Sequence, residues 1–560
     1  MKRSDFETSY RLEERVILPK RRRHKTPRLL MGDAYTIGSF NFESEEAKEK
    51  SVYYMTFRRR LSDINSTIYK KGDDRILFAG IQGINDMLFY EPFTHEEIDE
   101  TKEFLKYAKV TMKGFKNYPF PEEIWRDIVD NFNGRPPMII EGLPEGSVCY
   151  PNEPVLQITC QHKNAGYLAA WFESKLLHAW GTTERLTQDE HFKLRVKERL
   201  LKVDPDMAEE MQEFLASIII TDFGDRAAFC QSESEILGMV NLYSFGGTDT
   251  FSGAYQAWKN CDDKEKAIGL FSSVHALAHR NVQSYIKEQD CYNTLYESLE
   301  NDEIGSYVGD CYDFKNALHN YLLPLALRSR FENNGKVVVA RPDSSKEGYT
   351  TKDQVLEVCD LACKAHLNEV IETKSGKWKT GTLLKFLDGD GKTFEEILDI
   401  IDTLIDRGYA FYTWGLFGVG GNLRNNLKRD NLSAKYALAS VGKNNRPVVK
   451  FSESIGKGTL CGPFALLRCS ESLKNKKTIV FHTENVLENA YVEYFNGLRK
   501  NKPFGEGQDD DFLAIKARIR RQMNGVMPLT LETEENHNYP ASDAIMKKKQ
   551  ELLIEYTPNK

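Results

Sequence analysis

The middle of the chain alternates between short apolar runs and amphipathic stretches. The apolar runs between residues 216 and 440 lie at 217–221, 240–245, 336–340, 383–387 and 409–413. Stretches with helical periodicity lie at 253–259, 279–299, 313–328, 352–364 and 393–407. Strands that alternate with helices indicate a parallel α/β arrangement. A barrel and a doubly wound sheet both fit this pattern, and the periodicity alone does not separate them.

The segments on either side have a mixed pattern. Upstream, the predicted elements are β-like runs at 51–57 and 155–160 and helices at 94–112, 121–132, 163–180 and 186–215. Downstream of residue 441 the pattern is mixed again and ends in a helix-like stretch at 541–554. The first 30 residues are basic and polar, so we expect them to run over the surface.

Composition and charge exclude several classes of protein. The 560 residues are 41% hydrophobic and 28% charged, which is typical of a globular chain and excludes a disordered chain, a fibre and a coiled coil. A net charge of −7 does not suggest a nucleic-acid binder, which usually carries a basic domain. The run at 20–25 is a local exception, and it fits either a solvated loop or a phosphate contact.

The sequence also indicates a compartment. No apolar run approaches the roughly 20 residues that cross a bilayer, and the first residues lack the apolar region of a secretory signal. The ten cysteines are scattered without a C-x-x-C or zinc-finger spacing, so we expect reduced thiols and no structural zinc. We therefore expect a cytoplasmic protein without a membrane partner.

Two turns early in the alternating segment carry candidate binding residues. The turn at 222–226 follows an apolar run and contains Phe223, which could stack on a flat ring, and Arg226, which could grip phosphate. Equally, Phe223 could belong to the core and Arg226 could pair with a surface carboxylate. The turn at 246–250 offers Asp249 as an acceptor beside two glycines, or as the N-cap of the next helix.

A histidine pair and a carboxylate pair come next. His275 and His279 are four residues apart, but no third ligand with metal-site spacing is near, so one catalytic histidine fits better than a metal pair. Asp310 and Asp313 place two carboxylates in one further turn.

The last three turns combine an arginine, carboxylates and glycines. Arg341 and Asp343 follow the strand-like run 336–340, where Asp343 could bind sugar hydroxyls or a metal ion. Two glycine-containing turns follow, at 388–391 and 418–421, and backbone N–H groups in such turns can cradle phosphate. Because ligands bind at the carboxyl ends of parallel strands, these turns together predict a site for a flat ring, a ribose and phosphates.

The order of these motifs resembles that of the nicotinamide phosphoribosyltransferases, of the type II phosphoribosyltransferase family. The segment 222–253 resembles the family block DFG-x-R … GTDT-x-x-G, and SVHALAH resembles SVPAAEH, which puts His279 at the position of the family's phosphorylated histidine. GDCYDFKNA resembles SDSYD-x-x-NA, RPDSS resembles RPDSG, LDGDG resembles QGDG, and GVGGN resembles GSGGG. Near the start, the sequence DAY ending at Tyr35 resembles a D-S-Y motif, so the resemblance extends over about 31–460.

The resemblance implies an α/β fold with an irregular (β/α) barrel core over 181–440. It also implies a mixed α+β domain built from both chain termini, 31–180 with 441–560, after a basic extension at 1–30. The expected protein is a homodimer with shared active sites. The implied reaction joins nicotinamide to phosphoribosyl diphosphate, with Mg²⁺, and releases diphosphate. ATP would stimulate it through a phosphohistidine.

The resemblance also implies roles for individual residues. Phe223 would stack on one face of the nicotinamide ring and Tyr35 of the partner subunit on the other. Asp249 would accept a hydrogen bond from the carboxamide, and Arg341 would hold its oxygen or the ribose. The expected residues for ribose, metal and phosphate are Asp313, Asp343, Gly389, Asp390, Gly420, Gly421, Arg226 and Arg429, with Lys435 and Lys450 as weaker phosphate candidates.

The chain departs from the family pattern next to the catalytic histidine. Ala278 replaces the family's glutamate, and His275 replaces the proline of its SVP motif. These changes bear on the ATP-coupled step more than on the transfer. Two alternatives remain open: a phosphoribosyltransferase for nicotinate, and a non-catalytic binding protein on the same fold.

Overall fold

The structure is a computed structural model, and it describes residues 25–108, 118–267, 271–422, 426–452, 458–475, 477–484, 489–498, 510–525 and 541–556. The strands are β1 Lys50–Phe57, β2 Ile76–Phe78, β3 Met138–Gly142, β4 Ser147–Cys149, β5 Pro154–Gln161, β6 Ile220–Asp222, β7 Gly247–Thr248, β8 His275–Ala276, β9 Ile304–Val308, β10 Val337–Arg341, β11 Asn368–Thr373, β12 Gly376–Gly381, β13 Leu384–Asp388, β14 Gly415–Val419, β15 Ala434–Val441, β16 Arg446–Pro447, β17 Phe464–Leu466, β18 Ile479–Phe481 and β19 Val492–Asn496.

The α-helices of five or more residues are Ala34–Gly38, Glu45–Glu49, Ile81–Phe89, His95–Leu105, Glu122–Asn131, Ala179–Val203, Glu209–Ser217, Gln231–Ser244, Phe251–Lys259, His279–Gln283, Glu288–Ser298, Leu323–Glu332, Thr351–Lys364, Phe394–Asp406, Ser470–Asn475, Phe512–Gly525 and Asp543–Tyr556. Four single turns of α-helix lie at Leu168–Trp171, Glu173–Leu176, Phe314–Ala317 and Arg429–Leu432.

A seven-stranded parallel sheet forms the core of the middle segment, in the order β7-β6-β14-β13-β10-β9-β8. Its two edges approach each other, because Thr248 donates to the carbonyl of Ser272 at 3.0 Å and Ser272 donates to Gly246 at 2.8 Å. The sheet therefore curls into an irregular barrel. This confirms the predicted barrel-like α/β core.

Local sequence explains why helices follow the barrel strands β10 and β13. Thr350 accepts from the backbone N–H of Asp353, whose carboxylate accepts in return from the N–H of Thr350 at 2.8 Å. Thr393 and Glu396 make the same reciprocal pair at the next helix, with 2.7 Å between the Thr393 N–H and the Glu396 carboxylate. These capping boxes start the two helices at Thr351 and Phe394, so the loops at the strand ends span residues 342–350 and 389–393.

A second sheet of six antiparallel strands takes residues from both parts of the chain. Its order is β16-β15-β1-β5-β3-β19, so β1 lies between β5 from the first part and β15 from the last part. The boundaries that we predicted for the two domains stay a prediction, but the sheet itself is built from two distant stretches, 50–161 and 434–496.

The helix Ala179–Val203, which we call the long helix, packs against strand β2 and against the helices Gln231–Ser244 and Phe394–Asp406. It carries several buried charged side chains. Arg185 pairs with Asp189 at 2.9 Å, and Lys193 pairs with Glu190 at 2.7 Å and with Glu213 at 2.8 Å. All of these side chains except Glu213 are buried. Buried charges of this kind are tolerated only when they are paired.

Two predicted strands are wrong. Residues 240–244 complete the helix Gln231–Ser244. The apolar side chains of this run are buried against neighbouring helices, and the run therefore has the same pattern as a buried strand. Residues 409–413 form a turn that ends in a 3₁₀ helix, and the strand begins only at Gly415. A short buried run does not distinguish a strand from a buried helix.

The start of the chain differs in part from the surface extension that we expected for residues 1–30. Residues 1–24, which include most of the basic run, lie outside the described residues. Within 25–30, Arg28 is buried and pairs with Glu97 at 2.8 Å, and Leu29 is buried in the core. Among the described residues, no helix is long and apolar enough to cross a membrane.

Candidate active site

The end of strand β6 joins three parts of the site through its backbone. Asp222 accepts from the N–H of Asp249 at 2.9 Å through its carbonyl, and from the N–H of Gly224 at 2.8 Å through its buried carboxylate. The next residue, Phe223, donates its N–H to Val419 of strand β14 at 2.7 Å. The turns after β6, β7 and β14 are therefore fixed against one another.

The ring of Phe223 lies against the backbone of strand β14. A Cβ atom built on Gly418 would stand 2.5 Å from the ring carbon Cε2, and one built on Gly420 would stand 3.3 Å from the Phe223 carbonyl oxygen. Only glycine at position 418 leaves room for the ring, which is half-buried. Phe223 is thus a flat, partly exposed wall rather than a core side chain.

Asp249 lies beyond strand β7 with an exposed carboxylate that accepts a hydrogen bond from the hydroxyl of Ser273. Sequence reasoning missed Ser273. The parallel bridge between Gly247 and Ser272 brings it opposite Asp249, and no local pattern shows this bridge.

Arg341, at the end of strand β10, is the cation in the middle of the site. Its Nη2 donates to the carbonyl of Leu277 at 2.7 Å, whereas its buried Nε has no acceptor among the described residues. Burial lowers the pKa of Arg341, and the charges of Asp343, Asp310 and Asp249 oppose this effect. An unmatched donor beside these carboxylates suits a ligand oxygen.

His279 lies between two carboxylates. Its Nε2 is 3.0 Å from Asp310 Oδ1 and 3.8 Å from Asp343 Oδ2, and the hydroxyl of Ser344 donates to the other oxygen of Asp310. Burial raises the pKa of Asp343, while Arg341 and His279 oppose the shift. A histidine held in this way is oriented for proton transfer or for nucleophilic attack.

Two other candidates make no hydrogen bond or ion pair with this histidine among the described residues. Asp313 caps the helical turn Phe314–Ala317, accepts from the N–H of Asn316 at 2.7 Å, and lies 3.5 Å from Lys346. Its role in catalysis or metal binding stays a prediction, and Asp310 is the carboxylate of that turn that contacts His279. His275 is exposed on strand β8.

The glycine turn at 388–391 packs on the carboxylate of Asp343. A Cβ atom on Gly389 would lie 2.1 Å from Asp343 Oδ1, so glycine permits the close approach. Asp390 pairs with Lys392 at 3.0 Å and accepts from the hydroxyl of Ser345 at 2.9 Å. The second turn, at Gly420 and Gly421, follows strand β14 beside Phe223.

No hydrogen bond or ion pair among the described residues joins this cluster to Tyr35, Arg429 or Lys435. Tyr35 is on the helix Ala34–Gly38 with 73% of its surface exposed. Arg429 is exposed and pairs with Asp430 at 3.0 Å. Burial lowers the pKa of Lys435, and the nearby positive charges of Arg58, Lys450 and Arg429 lower it further. This basic group includes Arg58, which sequence reasoning also missed.

The carboxylates of the site suit a metal ion that takes its other ligands from a bound phosphate-containing substrate. The described residues contain no group of three or more His, Cys, Asp or Glu side chains arranged around one metal position. Mg²⁺ commonly binds one or two carboxylates together with phosphate oxygens, and Asp310 and Asp343 at neighbouring strand ends provide such oxygens. The site thus combines the flat wall of Phe223, a carboxylate that can accept from an amide or a hydroxyl, a half-buried guanidinium and glycine turns. This combination suits a ring, a sugar and phosphates.

Comparison with known proteins agrees with this chemistry. The Nicotinate phosphoribosyltransferase (NAPRTase) family model matches residues 218–497, which is half of the chain. A relative from Xanthomonas campestris pv. campestris, named nicotinamide phosphoribosyltransferase, is 26% identical over 401 residues, 70% of this chain and 80% of its own. Relatives of the same name from Mycoplasma genitalium and Mycoplasma pneumoniae are 25% and 26% identical over 45% and 50% of this chain. This chain covers only 53% and 59% of their lengths.

Two solved structures share the fold. Human nicotinic acid phosphoribosyltransferase has a TM-score of 0.54 at 12% identity and covers 93% of this chain and 100% of its own. Nicotinate-nucleotide pyrophosphorylase from Pyrococcus furiosus has a TM-score of 0.52 at 14% identity and covers 90% and 98%. At these identities the likeness concerns the fold alone.

The buried carboxyl at the end of strand β13 makes the stability of the protein depend on pH. Asp388 is fully buried, and burial raises its pKa from 3.8 to about 6. Its contribution to stability is present below pH 3.8 and is lost as pH rises through about 6. Between pH 4 and pH 8, we expect the unfolding free energy of the wild type to fall by up to about 3 kcal/mol more than that of Asp388→Asn.

Chemical denaturation at several pH values measures this difference. Asp399→Asn is the matched control, because Asp399 is exposed and pairs with Lys352 at 2.7 Å, and it should follow the wild type. Parallel curves for the wild type and Asp388→Asn would contradict the prediction.

Proposed function

Since this chain belongs to the nicotinate phosphoribosyltransferase family, we propose that it is a nicotinamide phosphoribosyltransferase of NAD salvage. It would form nicotinamide mononucleotide and diphosphate from nicotinamide and phosphoribosyl diphosphate. The observation that carries the choice of substrate is the exposed carboxylate of Asp249 beside the wall of Phe223 and the charge of Arg341. The relatives named nicotinamide phosphoribosyltransferase support the same choice.

Charge separates the two pyridine substrates. The carboxamide of nicotinamide offers an NH₂ donor to Asp249 and an oxygen acceptor to Arg341. Nicotinate would place its carboxylate against Asp249, and two like charges at close range repel. A phosphoribosyltransferase for nicotinate is therefore the second candidate, and the family name and the human structure of that activity are what favour it.

The residues of the site have separate tasks in the proposed transfer. Phe223 would hold the ring flat so that its nitrogen faces C1 of the ribose, and Arg341 would fix the ring edge or the ribose. Diphosphate leaves C1 as positive charge develops on the sugar, and positioning of both reactants contributes much of the rate. Gly389, Asp390, Gly420 and Gly421 would line the phosphate pocket, and Arg226 would neutralise a phosphate.

Carboxylates of the site would hold the Mg²⁺ that accompanies phosphoribosyl diphosphate. Asp343 would hold it with Asp310, and Asp313 is the next carboxylate along the same turn. The ion would neutralise charge on the leaving diphosphate. Asp343 and Asp310 also face His279, so the same two carboxylates would orient the histidine.

The proposed active unit is a homodimer with shared sites. Phe223 walls only one face of the ring slot, and Tyr35 of the partner subunit would close the other. Three exposed aromatic side chains, Phe229, Phe251 and Tyr255, lie on the segments that follow the site residues Arg226 and Asp249, and a second copy would cover them. We place this enzyme in the cytoplasm, without nucleic-acid or membrane partners.

An assay of the purified protein tests the function directly. With phosphoribosyl diphosphate and Mg²⁺, we expect mononucleotide from nicotinamide and little from nicotinate, and we expect ATP to raise the yield. Product from nicotinate alone would make the second candidate correct. No product from either base would support a non-catalytic binding protein.

The selectivity should depend on Asp249. Asp249→Ser removes a charged acceptor, so kcat/KM for nicotinamide should fall about 10- to 100-fold, while rejection of nicotinate should relax. Asp262→Ser, at an exposed position beyond the helix that follows Asp249, is the control. An unchanged ratio of kcat/KM for the two bases would rule out this role.

The coupling to ATP should depend on His279. A histidine can accept a phosphoryl group, and the phosphorylated residue would strengthen diphosphate binding. His279→Ala should abolish phosphohistidine and ATP stimulation but leave slower synthesis without ATP. The control is His275→Ala, which should keep the phosphohistidine. Detection of phosphohistidine in His279→Ala, or its loss in His275→Ala, would show that the assignment is wrong.

A further inference from the structure

A buried carboxylate on the long helix reaches the segment that carries Arg429. Glu184 is 1% exposed, and its Oε2 accepts from the backbone N–H of Lys428 at 2.9 Å. Its Oε1 accepts from Asn431 Nδ2 at 2.5 Å and from Gln188 Nε2 at 3.2 Å. Two of these three donors flank Arg429 in the chain, one on each side.

The segment around Arg429 has little means of holding its own shape. The helix Arg429–Leu432 has four residues, and its N-cap residue Lys428 offers no side-chain cap. A single helical turn is not stable alone. Asn431 also donates to the carbonyl of Asn426 at 3.0 Å, so its side chain links the start of the segment to Glu184.

A buried glutamate costs more free energy than a purely structural contact needs. Burial raises the pKa of Glu184 to about 7, while Asn431, Lys428 and Gln188 oppose the shift by hydrogen bonding. In the described part of the chain, no lysine or arginine nitrogen lies within 4.0 Å of its carboxylate to form an ion pair. A buried acid without a paired cation lowers the stability of the fold. In return, Glu184 fixes two points of the segment that carries Arg429.

We propose that Glu184 is a positioning residue that holds Arg429 in the orientation in which it binds phosphate. The proposal rests on the phosphate-binding role of Arg429 in the proposed function. The guanidinium of Arg429 is 55% exposed and, among the described residues, it bonds only to the adjacent Asp430. The backbone of the segment therefore determines from where, and in which range of directions, this side chain reaches out. Glu184 fixes that backbone from the long helix and touches no substrate itself.

The first test measures the substrates separately. Glu184→Ala should raise KM for phosphoribosyl diphosphate about tenfold and leave KM for nicotinamide within about twofold. Asn431→Ala removes the contact from the other side and should give the same pattern. Glu198→Ala is the matched control on the same helix, because Glu198 is exposed and pairs with Lys70 at 3.2 Å, and both KM values should stay unchanged.

A double variant separates positioning from a general loss of structure. If Glu184 acts through Arg429, then Glu184→Ala should add less than about twofold to KM in an Arg429→Ala background. An additive effect, or an equal rise in both KM values, overturns the proposal. If Glu184→Ala does not fold, Asn431→Ala decides the question by the same two comparisons.

Direct binding distinguishes a failure of this proposal from a failure of the proposed function. Calorimetry with phosphoribosyl diphosphate and Mg²⁺ should show about tenfold weaker binding for Glu184→Ala even if the wild type makes no mononucleotide. That result would disprove the proposed transfer activity and would leave the positioning role of Glu184 intact. Equal affinity of the wild type and Glu184→Ala overturns the positioning role, whatever the activity.

Discussion

The parallel sheet of the barrel determines the site because its hydrogen bonds continue beyond the ends of its strands. Phe223 donates to Val419 at 2.7 Å, and Gly389 donates to Pro342 at 2.9 Å, each across neighbouring strand ends. The turns that carry the ring wall, the guanidinium and the glycines therefore share one rigid edge. Because one of these hydrogen-bonded strand ends cannot shift without its neighbours, side chains from distant parts of the sequence keep fixed separations.

The sequence predicts part of this edge, because the turns after β6, β10 and β13 directly follow apolar runs that form strands. No predicted run matches β7, β8, β9 or β14. Phe223, Arg341 and Asp343 lie one or two residues beyond a strand or at its last position, so strand prediction alone places them together. It fails where contacts depend on closure of the sheet, as for Ser273, which meets Asp249 only across the bridge at the barrel's edges. Likewise, the turn with two carboxylates does not reveal which one, Asp310 or Asp313, reaches His279.

Sequence patterns fail for a different reason in buried helices. The run at 240–245 is buried on every side because its helix is covered by neighbours, and even the polar Asn241 and Ser244 are buried. The run therefore has no exposed face of the kind that marks a surface helix. The long helix shows the opposite case. Its sequence is rich in charged residues, and yet Arg185 and Asp189 are buried and paired within it. Burial of pairs depends on what packs around a helix, which local sequence does not encode.

The central position of β1 in the six-stranded sheet has a consequence for synthesis on the ribosome. Strand β1 ends at Phe57, but its neighbour β15 begins at Ala434, after all seven barrel strands have been made. At about 5–20 residues per second, β1 waits on the order of tens of seconds for this partner. The barrel can close first, so the middle of the polypeptide matures before its beginning, and one edge of β1 is exposed to chaperones in the interval.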